Sequence, residues 1–448
     1  MSGSTDRLAA GTARAVDAAV AAAQAAGRVP TLLAGVVRRG RLCHVARAGE
    51  PADPDTQFRL GSITKTMTAT LVLQLRDEGR LSLDDLLFRH LPGTAVGGVT
   101  LRQLLGHASG LQREPDGPWW ERSPGVDLDP LLARVTPDKL SHPPGRGHHY
   151  SNLGYGLLGA VLQRITGERW PALLDKRICQ PLGLTRTSYH PEEPFARGYV
   201  VHPWHGTRHE QPRHDSQAMA PAGQLWSTLT DLARWAGFLA APDPAVLAPA
   251  TLAEMCIPVS IADPDRWTAG HGLGIGLRRH GERVYVGHTG SMPGYLAVVW
   301  VHRGSGTGVV AFANGYTLAG TTIGEFGAEL LSLVLDREPP APEPWQPAAA
   351  PTGPVAALTG RWWWMGQEYE VRAGPAPDEL LVTPVTCPAP PWRFVPDRPD
   401  RWRGVSGSND GEFLEVRRDP AGTVTGLAIA TAVFTRDPGL PEGGEPPG

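Results

Sequence analysis

Residues 337–354, REPPAPEPWQPAAAPTGP, hold seven prolines in eighteen positions. Proline lacks a backbone N–H and fixes φ, so so dense a run builds neither a helix interior nor a central strand. It reads as an extended linker that obliges the chain to fold as two bodies. The length of 448 residues agrees, because single cores rarely grow that large. The expected division is a domain over 1–336, the linker 337–354, a small β domain over 355–438, and a Gly/Pro-rich disordered tail over 439–448.

Charge and composition exclude several classes. A net charge of −3 offers no footprint for nucleic acid or an anionic membrane surface. No run reaches the 18 or so uncharged apolar residues of a membrane span. Asp6, Arg7, Arg14 and Asp17 punctuate the Ala-rich N-terminal stretch, which therefore reads as an amphipathic helix and not as a secretory signal. A cytoplasmic location is the expectation. Cys43, Cys179, Cys256 and Cys387 form no CxxC pair, so neither a disulfide framework nor a zinc site is expected.

Within the first domain, residues 31–50 read as two strands joined at Arg39-Gly40. In the stretch 58–75, FRLGSITKTMTATLVLQL, a helix is expected that starts at Ser62 and Lys65, carries Met67, Leu71 and Leu75 on one face and stops at Gly79. Thr100 to Gln103 forms a capping box for a short helix over 101–105. Helices are expected over 151–167, 228–240 and 321–336, and a strand meander over 283–314. Early and late strands with helices between them define an α+β domain: an antiparallel sheet flanked by helices, plus an all-helical region. Short strand-like runs with regular turns over 355–438 favour a small antiparallel barrel or sandwich.

Three stretches carry chemistry. Ser62 and Lys65 lie three apart on one helical face, where a buried amine loses its proton and can take that of the hydroxyl. Tyr150 and Asn152 offer a phenol for proton relay and an amide for a substrate carbonyl. His288-Thr289-Gly290 sits on an expected strand whose glycine admits a close backbone approach, with the Ser291 and Ser62 amides as a possible oxyanion hole. Each stretch alone is more simply read as capping, packing or a hairpin turn. No G-x-S-x-G elbow occurs, which sets the α/β-hydrolase reading aside.

Together, in the order SxxK, YxN and HTG, the three resemble the penicillin-recognising serine hydrolases: class C β-lactamases, low-molecular-weight penicillin-binding proteins and related esterases. The likeness runs over roughly residues 15–335, and LRQLLGHASGL (101–111) and PAGQLWSTLTDLARW (221–235) look like further family landmarks. The resemblance implies Ser62 as acylated nucleophile, Lys65 as base, Tyr150 as proton relay, and Asn152, His288 and Thr289 as substrate contacts, with no cofactor or metal. One departure matters: many members of the family hold lysine where this chain has His288. A histidine is mostly neutral at pH 7, which weakens the case for carboxylate-bearing substrates and favours esters, amides and peptides. The histidine form also occurs in penicillin-binding-protein-type thioesterases, which cyclise nonribosomal peptides taken from a carrier protein and bear a lipocalin-like C-terminal domain such as 355–438 resembles. A stand-alone hydrolase acting on a small-molecule or peptide acyl substrate is preferred. A non-catalytic receptor for such a ligand is the reading from another class.

Other candidates weigh less. His202, His205, His209 and His214 lie on a segment broken by Pro and Gly, with no HExxH spacing, and read as a substrate-side loop. His148 and His149 flank Tyr150. Of the tryptophans Trp119, Trp120, Trp226 and Trp235, Trp226 is the expected wall for an acyl chain, and Trp235 is expected in the core. Among Trp362, Trp363 and Trp364, alternation turns at least one outward. Arg436, ending the last expected strand, reads as a surface residue, or as a ligand for a substrate carboxylate if its domain covers the cleft.

Overall fold

The computed structural model describes residues 7–339, 350–387 and 389–438. The chain divides into two compact units, the boundary falling between residues 341 and 342. The tail 439–448 and most of the linker lie outside the described residues.

The first unit is built on one antiparallel sheet. Its strands are β1 (Thr31–Arg38), β2 (Arg41–Gly49), β3 (Ser260–Ile261), β4 (Ala269–His271), β5 (Gly276–His280), β6 (Arg283–Met292), β7 (Tyr295–His302) and β8 (Thr307–Ala313). Their spatial order is β2-β1-β8-β7-β6-β5-β4-β3. The last strand of the meander thus pairs with the first hairpin, Leu33 opposite Phe312. Alternation along the strands feeds two cores. On β8, Val309, Ala311 and Ala313 face one cluster, while Val310 and Phe312 face the other.

Five longer helices complete the unit: α1 (Ala10–Gly27), α2 (Thr64–Asp77), α3 (Asn152–Thr166), α4 (Leu229–Ala240) and α5 (Ile323–Arg337). Val16 and Val20 of α1 and Leu330, Leu331 and Val334 of α5 cover one face of the sheet. The opposite face receives α4, through Leu229, Leu232 and Trp235, and the helical region that contains α2 and α3. Thr322 opens α5 with a capping box to Glu325, and Thr100 does the same for the short helix Leu101–Leu105. On α2 every residue from Thr64 to Leu73 is buried. The helix is enclosed on all sides and not on a single apolar face, because α3 and the turn Ala220–Gly223 close over its polar side.

The second unit is an eight-stranded antiparallel barrel: β9 (Gly360–Trp364), β10 (Gln367–Ala373), β11 (Leu380–Pro384), β12 (Trp392–Arg398), β13 (Arg401–Gly404), β14 (Phe413–Arg418), β15 (Val424–Ile429) and β16 (Ala432–Phe434). Neighbours in sequence are neighbours in space. Trp363 and Thr435 exchange two backbone hydrogen bonds, 2.8 and 2.9 Å, and bring the first strand to the last. Trp362, Phe394, Leu380 and Leu414 fill the interior. Trp364 turns outward, as alternation requires.

Candidate active site

Ser62 occupies a single 3-10 turn, Gly61–Ile63, that runs directly into α2. One turn on, Lys65 is completely buried, with Nζ 2.9 Å from Ser62 Oγ and 2.6 Å from the Ala222 carbonyl oxygen. Burial brings this amine down from 10.5 to about 7, with Arg113 adding a smaller push; the carboxylates of Glu121 and Glu114 work against the shift. A neutral amine that donates to Ala222 keeps a lone pair for the Ser62 hydroxyl proton.

Tyr150 ends the extended segment before α3, and its phenol lies close enough to the Ser62 hydroxyl to be influenced by it. The Lys65 amine stands 5.1 Å from the centre of the Tyr150 ring. Burial raises the phenol above its ordinary range, so it holds its proton at neutral pH. Ser151 caps α3 by accepting the Gly154 N–H at 3.0 Å, which fixes Asn152 at the first helical position. Asn152 Nδ2 donates to both Glu114 carboxylate oxygens, at 2.9 and 3.0 Å. That commitment assigns the amide orientation and leaves Oδ1 buried without a partner among the described residues. It is an acceptor available to a substrate N–H.

Strand β6 supplies the opposite wall. Its alternation sends His288 toward Lys65 and Tyr150 and Thr289 toward α5. Gly290 lies against the turn before Ser62: a Cβ there would fall 1.9 Å from the Leu60 carbonyl oxygen and 3.2 Å from the Ser62 nitrogen. A Cβ on Gly61 would fall 2.6 Å from the Ser291 nitrogen, so the Ser62 and Ser291 amides occupy one locality. Burial, reinforced by Lys65, lowers His288 to about 4 and makes it neutral at pH 7.

These groups border a cavity of about 610 Å³ lined by Ser62, Tyr150, Asn152, His288, Thr289, Gly290 and Ser291. Four titratable lining residues escaped the sequence reading: Arg113, Glu121, His271 and Tyr316. Burial, aided by Glu114, raises Glu121 to about 7. Its segment, QREPDGPWWER, has the look of a solvated loop, and nothing in its spacing marks one carboxylate as inward.

Two expectations are corrected, for Trp226 and for the histidine-rich stretch. Trp226 does not line the cavity: it is 1% exposed, pairs with Arg59 in a two-residue strand, and packs edge-on against Phe195 and Tyr295. Arg436 is a surface residue, as expected: it is exposed, donates to the carbonyls of Ala357, Thr359 and Arg361, and lies 3.9 Å from the Trp362 ring centre. The histidine-rich stretch is no plain loop but a hairpin, Tyr199–Val201 with Arg208–Glu210, at whose tip His202 and His205 stack on each other. Among the described residues, the histidines with metal-ligand spacing are instead His107, His271 and His288. Trp120 is buried and donates to Glu114, Trp119 is exposed, and Trp235 lies in the core.

A sheet of this topology with Ser, Lys and Tyr at its junction with a helical region defines the penicillin-recognising class of serine-hydrolase folds. Residues 16–331 match the Beta-lactamase family, and the chain belongs to it. Residues 351–436 match a domain of unknown function, DUF7586. Among relatives, the chain is 39% identical to Esterase EstB of Burkholderia gladioli over 165 residues, which is 33% of this chain and 42% of that protein. It spans 41% to 54% of the length of other curated relatives that it matches. A D-stereospecific amidohydrolase from Streptomyces sp. superposes with a TM-score of 0.61 at 28% identity, over 71% of this chain and 97% of that one. The octameric penicillin-binding protein homologue of Pyrococcus abyssi shares the fold over 94% of this chain and 99% of its own, with a TM-score of 0.65 at 20% identity.

Proposed function

We propose that the protein is a serine hydrolase that cleaves an ester, amide or peptide carbonyl through an acyl-enzyme on Ser62. The observation that carries this reading is a buried lysine amine, brought to about 7, standing 2.9 Å from the Ser62 oxygen and 5.1 Å from the centre of the Tyr150 ring. Lys65 takes the serine proton as Oγ attacks, and Tyr150 passes a proton to the leaving group. The Ser62 and Ser291 amides hold the oxyanion, in the locality that Gly61 and Gly290 keep open. Asn152 Oδ1 receives a substrate N–H.

The substrate is an acyl compound without a carboxylate at the β6 wall. A neutral His288 and the Glu121 carboxyl both support this, and the names of the esterase and amidohydrolase relatives agree. We propose a cytoplasmic location for the reaction, on cysteines that are widely scattered and form no CxxC pair, as suits a reducing compartment. No helix among the described residues is long and apolar enough to cross a membrane.

Labelling with a fluorophosphonate and mapping of the modified peptide tests the reading. Ser62 is expected to carry the label, and Ser62→Ala to lose hydrolysis of p-nitrophenyl esters. Retained turnover in Ser62→Ala overturns the proposal, and an unlabelled Ser62 without turnover favours the receptor reading. Competition with a peptide amine separates water from an amine as acceptor: a hydrolase yields free acid as the main product, a cyclising thioesterase the amide.

A further inference from the structure

Three imidazoles converge behind Tyr150. One ring nitrogen of each of His107, His271 and His288 lies within 4.8 Å of the other two. His107 follows the short helix Leu101–Leu105, His271 ends β4, and His288 belongs to β6. His107 is buried in a left-handed backbone conformation, φ 55°, and its ring stacks on Tyr150 with centroids 4.1 Å apart. Its carbonyl accepts the His149 N–H at 2.7 Å and its Nδ1 accepts the Ser151 N–H at 3.1 Å, so both flanks of Tyr150 are tied to it.

The tautomers decide what such a site can hold. With Nδ1 of His107 accepting from Ser151, the neutral ring carries its hydrogen on Nε2. His288 is the reverse: Nδ1 donates to the Thr289 carbonyl, and Nε2 is left bare. Both Nε2 atoms are buried and meet no partner among the described residues. His271 Nδ1 shares a hydrogen with His148 Nε2 at 3.1 Å. A metal cation needs a lone pair from each ligand and would meet the N–H of His107. A water molecule matches: it accepts from His107, donates to His288, and serves His271 in either tautomer. The separation is that of two atoms bridged by one water.

We propose that His107, His271 and His288 seat the water that hydrolyses the Ser62 acyl-enzyme. The inference rests on the acyl-enzyme reading above. Tyr150, His271 and His288 line the same cavity as Ser62, so the seat opens on the reacting side. With the shared hydrogen on His271, the water donates to two bare nitrogens and turns its remaining lone pair to the cavity. Its oxygen then bonds to the acyl carbon, and the bond from that carbon to Ser62 Oγ breaks. One water proton passes to the His288 nitrogen that it faces and from there, by way of the Lys65–Tyr150 pair, to Ser62 Oγ, which leaves His288 neutral again; the other leaves with the acid, which ionises into solvent.

Stopped-flow hydrolysis of a p-nitrophenyl ester by the full chain separates the two half-reactions. In His271→Phe the burst is expected to stay within about threefold, while steady-state turnover falls at least about tenfold and the Ser62 adduct accumulates in intact mass spectra. His271→Asn, which restores a donor and an acceptor, recovers part of the turnover, and hydroxylamine, which brings its own nucleophile, recovers more. A burst and a steady state that fall together, or that do not change, overturn the proposal. So does stoichiometric Co2+ binding with ligand-field bands that vanish in His271→Phe, because a metal then fills the seat. A natural enzyme showing neither burst nor Ser62 adduct defeats the acyl-enzyme reading itself.

Discussion

An amine that ordinarily holds its proton to 10.5 is brought to about 7 at Lys65 because the stretch Thr64 to Leu73 of α2 is closed off from water. The unfolded chain protonates this lysine below 10.5, the folded one only below about 7. Between those values the unfolded state binds more protons, so stability rises with pH through that window. At pH 7 the burial costs up to about 4 kcal/mol. Lys65→Met is therefore expected to raise the denaturation midpoint at pH 7 while abolishing ester turnover, and the gain should shrink toward pH 10. Activity depends on the neutral amine, so kcat/KM of the natural enzyme should climb through about pH 7, as a pH–rate profile will register. His288 contributes no fixed charge at neutral pH. His288→Lys should shift selectivity at least about tenfold, or about 1.4 kcal/mol, toward a succinyl over a butyryl p-nitrophenyl ester. An unchanged ratio would show that position 288 does not sense the acyl end.

At the scale of elements, the site depends on one contact between backbones, where the turn Gly61–Ile63 meets the end of β6. Gly290→Ala would place a methyl 1.9 Å from the Leu60 carbonyl oxygen and push the strand off the turn. Losing the paired amides is expected to lower kcat by about 100-fold or more, at little change in far-UV circular dichroism. Helices and strands with a clear period could be read from the sequence: α2, α3, α4, α5 and the meander β6–β8 fall within a few residues of their expected limits. Strands β3 to β5 could not. They are short, and Gly270, Gly272, Gly274 and Gly276 break any alternation, so His271 gave no sign of its place. Glu121 was invisible for a related reason, since only the folded chain turns that loop inward. The Ser62, Lys65 and Tyr150 stretches stood out because three spaced motifs in a fixed order are rarer than any one of them. Trp226 misled because an aromatic beside a landmark can face the core as easily as the cleft.

At the scale of the whole molecule, the two units have separate hydrophobic cores. Scanning calorimetry should therefore resolve two transitions. Trp362→Ala, which empties the centre of the barrel, should move one of them by about 3–5 kcal/mol of unfolding free energy and leave the other in place. A single transition that shifts as a whole would mean that the units melt together. The paired hydrogen bonds between Trp363 and Thr435 have a consequence for solubility. Strand edges are templates on which other chains add, and a barrel joined first strand to last presents few of them. Cutting the chain before Ala432 would bare the edges of β9 and β15 together, and the product should self-associate in a sedimentation experiment. Those few residues near the end of the barrel then act less as part of its core than as a seal against its own copies.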